Sequence, residues 1–291
     1  MEDTRNFRSS YYEKVGCRSV EEKKNLEIIL KENPVTLSKL RNFAKRFAIP
    51  SIHRALLYEV ILGVFPVYME SKEFIMNQQR EIFNDLKRAL EVMHMIDGKT
   101  PKSKVIFAMW LLENRSLGSG SNIFKDSPFP LIAEVIIENL EVGEVELYFL
   151  SRNFYKYSEE IINEMPKLKQ ITFQMLEKED SDLFNNLNNK NILEKLPFER
   201  WYPSIFSSIL NELSLIRIFD RIVGGSTKIV IFIFIVICSY TRYNLKTQLT
   251  CENVIKIIEN YPADDSEKSD VIVNKTIDLW HKFSSSKAAN R

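Results

Sequence analysis

Few side chains in this sequence carry reactive chemistry, and their spacing assembles none of the usual catalytic sets. The histidines are His53, His94 and His281. None stands in an HExxH pair or beside a cysteine pair, so no zinc site is expected. Cys17, Cys238 and Cys251 are odd in number and form no CxxC, which fits a reducing compartment and buried or incidental thiols. No GxSxG elbow is present for a serine hydrolase. Gly118-Ser119-Gly120 and Gly224-Gly225-Ser226-Thr227-Lys228 invite comparison with phosphate cradles. Neither completes GxxxxGK[ST] after a strand, so a loop and a helix start are the expected readings. Asp85 and Arg88 are spaced i, i+3, the arrangement of a surface ion pair worth roughly a few tenths of a kcal/mol. No cofactor or metal is implied by any of these residues.

The elements that must position these side chains read as helices. The 291 residues include only 8 Gly and 10 Pro, so turn punctuation is sparse and periodic segments are long. Hydrophobic residues make up 45% and charged residues 27%, the balance of a globular protein. The formal charge is +1, from 40 basic and 39 acidic residues, and the two signs are interleaved. That gives no electrostatic case for nucleic acid or for an anionic membrane surface. The polar start, MEDTRNFRSS, does not read as a signal peptide, and a cytoplasmic location is expected.

Val20 to Lys31 is predicted as a first helix, with Leu26, Ile29 and Leu30 inward. A second starts at Thr36 or Ser38 and buries Leu37, Leu40, Phe43, Ala44 and Phe47. A third follows Pro50-Ser51 and ends near Pro66. Glu81 to Ile96 is predicted to be amphipathic, with Ile82, Leu86, Ala89, Leu90, Met93 and Ile96 as its inner stripe. Phe83 and His94 widen that apolar arc and Met95 falls outside it. They are therefore candidates for partner binding, unless two neighbouring helices sandwich this one. Asp180 to Pro197 is Asn-rich and expected to be irregular in part. Ile229 to Cys238, IVIFIFIVIC, is short of the roughly 20 apolar residues a spanning helix needs, so a buried central helix capped by Ser226 or Thr227 is expected. No fixed-period repeat and no linker composition appears.

Two motifs add a family resemblance. Pro50 to Pro66, PSIHRALLYEVILGVFP, resembles the first motif of the TBC domain, in which an Arg is followed four residues later by Trp and then by Leu-Leu-Gly. Here Arg54, Tyr58 and Gly63 take those places. Leu215 to Ser226, LIRIFDRIVGGS, resembles the late Arg-Ile-Trp-Asp motif, with Arg217, Phe219 and Asp220. Both Trp positions remain aromatic, and large rings there can still fill a core. The resemblance implies an all-α, multi-helix TBC fold of two closely packed lobes. It places N-terminal helices in residues 1–46, the TBC domain in 47–262, a C-terminal helix in 263–283 and a disordered tail in 284–291.

TBC domains stimulate GTP hydrolysis on Rab-type GTPases. The family does so with an arginine finger in IxxDxxR and a water-orienting glutamine in YxQ. The finger is worth about a thousandfold or more in rate. Ile82, Asp85 and Arg88 fit the first pattern literally, but the Thr-Pro that ends the helix in active members is replaced by Ala89-Leu90. The second pattern is missing, because no glutamine occurs between Gln79 and Gln170. The chain ends resemble the short branch of the family that serves as third subunit of the tuberous sclerosis complex. That likeness implies a non-catalytic subunit that binds the hamartin coiled coil and, through it, tuberin. It also implies recruitment to lysosomal or vesicle membranes through those partners. The alternative is a Rab GTPase activator with Arg88 as its finger, assisted by Asp85.

Overall fold

The computed structural model describes residues 20–117, 127–247, 250–261 and 265–289. The described residues hold fourteen α-helices, two short 3-10 turns and no strand. Cys17, Gly118-Ser119-Gly120 and the last two residues of the chain lie outside them. The chain divides into two compact units.

The first unit runs to Lys156 and includes Phe219–Ser226. Its helices are Val20–Lys31 (α1), Leu37–Arg46 (α2), Ser51–Ile61 (α3), Lys72–Val92 (α4), Lys102–Glu113 (α5), Phe129–Asn139 (α6) and the first part of Glu144–Asn163 (α7). Helices adjacent in the chain pack on one another, α1 on α2, α2 on α3, α4 on α5 and α5 on α6. Short connections make such neighbours the natural topology. α1 matches its predicted limits, and Leu26 is fully buried. α2 starts after Thr36 and buries Leu40, Phe43 and Ala44, whereas Phe47 is 37% exposed. α3 ends at Ile61, earlier than expected, because Gly63 takes the left-handed conformation (φ 71°) that closes a helix.

α4 differs from its expectation in both limits and rotation. It begins at Lys72 and stops at Val92, where His94 at φ 55° turns the chain. Its inner face holds Phe83 and Leu90, while Ile82 and Met93 are 43% and 44% exposed. Half-buried Gln79 lies on the inner side too and donates to the carbonyl of Val64 (2.8 Å), while Lys87 pairs with Glu144 (3.1 Å) at the edge of the face.

The second unit comprises Tyr157–Ile218 and the described residues from Thr227 onward. It contains Met165–Glu179 (α8), Ser181–Asn189 (α9), Phe198–Trp201 (α10), most of Glu212–Val223 (α11), Ile229–Thr247 (α12), Cys251–Asn260 (α13) and Ser266–Ala289 (α14). Every residue from Ile229 to Cys238 is buried, because α8, α9, α13 and α14 surround α12. By length and composition this one helix could cross a membrane, but its apolar run is spent on the interior of the unit. The Thr227 hydroxyl donates to Glu160 (3.4 Å). The Asn-rich stretch is helical through Asn189. Asp180 caps α9 by accepting from the Leu183 N–H (3.1 Å), and Leu183 and Leu187 are buried one turn apart. α14 continues to Ala289, beyond the predicted end at Phe283.

Candidate functional site

The residues of the two motifs meet in a buried polar knot in the first unit. Pro50 and Ser51 start α3 one turn before Arg54, so its side chain points inward. Arg54 Nε donates to Asp220 Oδ1 (3.0 Å), and Nη2 donates to Asp220 Oδ2 (3.2 Å) and to the Ile49 carbonyl (2.8 Å). The Tyr58 hydroxyl adds a bond to Asp220 Oδ1 (3.0 Å). Asp220 and Tyr58 are fully buried, and Arg54 nearly so. Burial opposes the Arg54 charge, but Asp220 outweighs it and holds the guanidinium pKa above its usual value. Burial and the neighbouring Asp220 carboxylate push the Tyr58 phenol well up.

Aromatic packing backs this knot. Phe219 stacks on Phe154 at 4.5 Å between centroids, and Phe154 on Tyr58 at 6.5 Å. Arg221, which the motifs do not single out, donates to the carbonyls of Ala44 (2.8 Å) and Phe47 (2.5 Å) at the end of α2. Gly224 follows, and a Cβ there would lie 2.9 Å from the Arg41 carbonyl and 2.8 Å from Lys45 Cγ. Arg217 does not join this group. It engages Asp270 and, at 2.7 Å, Asn274 on α14 in the second unit. Arg54, Tyr58 and Asp220 are buried and bonded to one another, so the knot holds helices together.

The residues expected near chemistry stand apart from the knot on α4. Arg88 and Asp85 are both exposed, and among the described residues they form no ion pair with each other, contrary to the i, i+3 expectation. The helix continues past Arg88 to Val92 without a turn. Phe83 is 6% exposed and meets Tyr148 edge-on at 6.2 Å. The sandwiched alternative therefore describes Phe83. His94 is exposed and Met95 half-buried in the turn after the helix. A groove of about 410 Å³ opens beside Phe83, with Ile96, Val105 and Leu147 as apolar lining and Lys87 and Glu91 on its α4 side. Arg88 does not line it.

At the end of α5 stands Glu113. It accepts from the Tyr148 hydroxyl (2.5 Å) and from Arg152 Nη1 (2.7 Å). Burial and Glu113 together push the Tyr148 phenol up. Arg152 passes the chain of bonds to Asn153 (3.2 Å), whose amide donates to the Leu62 carbonyl (2.9 Å). An ionised carboxylate only accepts and has no N–H to donate, so Glu113 is no substitute for a glutamine amide. Glu59 was also missed by the motifs. It is buried, and burial raises its pKa to about 7, with Lys72 opposing and Glu146 adding to the shift. Cys238 is buried, and burial lifts its thiol out of the reactive range. Among the described residues no three His, Cys, Asp or Glu side chains gather as metal ligands.

The fold is that of a TBC domain. The Ypt/Rab-GAP domain of Gyp1p superposes with a TM-score of 0.60 at 15% identity, covering 91% of this chain and 99% of that one. The Chlamydomonas flagellar RabGAP TBC domain gives 0.52 at 13% identity, covering 89% and 93%. At those identities the likeness is one of fold alone. No family model matches the chain. Sequence relatives are much nearer. TBC1 domain family member 7 of Xenopus tropicalis is 38% identical over 282 residues, 96% of this chain and 95% of the relative. The Bos taurus and Homo sapiens proteins of that name are 38% and 37% identical over the same lengths. The chain belongs to the TBC1 domain family member 7 family.

Proposed function

We propose that this chain is a non-catalytic TBC-domain subunit that binds the hamartin coiled coil and stabilises the tuberous sclerosis complex. In this reading tuberin, reached through hamartin, activates GTP hydrolysis on Rheb and so restrains mTOR signalling. The chain is cytoplasmic and reaches lysosomal or vesicle membranes only through these partners.

One observation carries the non-catalytic half: no glutamine occurs between Gln79 and Gln170 to accompany Arg88, and the helix runs on past Arg88 to Val92. Without both groups the transition-state charge and the attacking water go unattended. The partner half is supported by the outward face of α4. Phe74 and Val92 are 68% and 71% exposed there, with Ile82 and Met93 between and beside them. A coiled-coil helix can lie along such a face and cover it. His94 and Met95 flank its end, and Phe83 supports it from beneath. The test is a pull-down of hamartin by the full chain. Phe74→Glu with Val92→Glu is expected to abolish capture. Unchanged capture removes α4 from the interface.

A second reading is favoured by the exposure of Arg88, which leaves its guanidinium available to a docking GTPase. In that reading the chain is a Rab activator with a finger and no glutamine of its own.

A further inference from the structure

A groove lies between α1 and α2 in the first unit. It encloses about 440 Å³, with Ile28, Ile29, Phe43 and Phe47 as its apolar wall and Asn42 and Arg46 along the α2 edge. Ile28 is 62% exposed and Phe47 37%, so apolar area faces solvent although Phe43 below is buried. α2 itself is lopsided in charge. It carries Lys39, Arg41, Lys45 and Arg46 and no acidic residue. Lys39 is neutralised at one end of the groove by Glu32 (2.6 Å), which also accepts from the Thr36 hydroxyl (2.7 Å). Arg46, at the other end, is exposed and makes no ion pair among the described residues.

From these residues we infer that the α1–α2 groove docks an acidic amphipathic helix of a protein partner. Its apolar stripe lies on Ile28, Phe43 and Phe47, and a carboxylate on its edge meets Arg46. Two antiparallel helices leave between them a trough the width of one further helix, and apolar anchors at i, i+3 and i+7 would fill it. The charge asymmetry fixes the sign. Of the α2 cations only Lys39 and Arg46 line the groove, and Lys39 is already held by Glu32, so a basic helix would meet Arg46 as a like charge whereas an acidic one gains a charge-assisted bond there. A flat anionic membrane fits less well, because Glu27 and Glu32 share the α1 side with the groove and the whole chain is nearly neutral. This surface is separate from the α4 face, so it stands whether or not hamartin binds there.

A display library of helical peptides tests it. Leucines are fixed at i, i+3, i+4 and i+7, and the remaining positions vary among Glu, Lys and Gln. The full chain is the bait, with Arg46→Glu, Arg46→Gln and Ile28→Glu as parallel baits whose thermal melts are checked against the parent. Selection is expected to enrich Glu-rich peptides. Their affinity should fall at least tenfold on Arg46→Glu and on Ile28→Glu, less on Arg46→Gln. Replacing the peptide glutamate by lysine should recover binding to Arg46→Glu. Enrichment of Lys-rich or uncharged peptides, binding indifferent to all three variants, or no enrichment would each overturn the proposal. So would Arg46-dependent binding confined to phosphatidylserine vesicles.

Discussion

Arg54 and Arg88 belong to the same unit and to the two best-known motifs of one family, yet their surroundings are opposite. Arg54 is buried and makes three bonds, two to Asp220 and one to the Ile49 carbonyl. Arg88 is exposed on α4 and, among the described residues, has no ion pair with its motif partner Asp85. The first arginine ties α3 to Asp220 from within the packed interior. The second matches its motif in spacing, but the helix runs on past it and no glutamine occurs between Gln79 and Gln170. Packing fixes the one arginine and leaves the other unconstrained.

The largest effect should come from breaking the knot. Asp220→Ala leaves a buried guanidinium with one carbonyl for company, and the expected cost is about 3–5 kcal/mol in urea denaturation. Arg88→Ala in the same assay should change stability by less than about 0.5 kcal/mol, as for an isolated surface position. Similar losses for both would erase the contrast between them.

Glu59 is expected to come next. Its carboxyl is neutral in the folded protein to about pH 7 but ionises near its ordinary value when unfolded. The folded state therefore holds the extra proton between those two values. Its contribution to stability is complete below the unfolded pKa and is lost as the pH rises through about 7. Glu59→Gln should stabilise the chain at pH 8 by up to about 3 kcal/mol relative to its effect at pH 4. Thermal melts of both proteins across that range give the comparison. A flat difference would show that Lys72 keeps the group ionised.

Gly224→Ala should cost about 1–3 kcal/mol, because the added methyl group meets the Arg41 carbonyl and must displace α2 or α11. The smallest effect is expected at Phe74→Glu with Val92→Glu. That pair should leave the urea midpoint within about 0.5 kcal/mol of the parent while affecting capture of hamartin.

How much of this was legible in the sequence depended on how local the cause was. α1 has its predicted limits because its apolar period and the Asn33-Pro34 stop are local signals. The buried character of Ile229 to Cys238 was equally plain, since a run that is apolar all round has nowhere else to go. The apolar pattern misplaces the inward face of α4, because that face centres on Phe83 and Leu90 and includes the half-buried Gln79, which donates to the Val64 carbonyl. A count of apolar residues prefers the neighbouring stripe through Ile82. The Arg54–Asp220 pair spans 166 positions, and nothing local in the sequence joins the two residues. Arg217 and Asp220 stand in one motif, yet Arg217 contacts α14 instead of the knot. The Glu113–Arg152 and Glu59 environments arise from tertiary packing and carried no local signal.

Single-turnover GTP hydrolysis over a panel of Rab GTPases separates a non-catalytic subunit from an activator. Rates are expected at the intrinsic level for every Rab, with no difference between the parent and Arg88→Ala. Stimulation of about a thousandfold or more that disappears in Arg88→Ala would contradict that expectation and make this chain an activator.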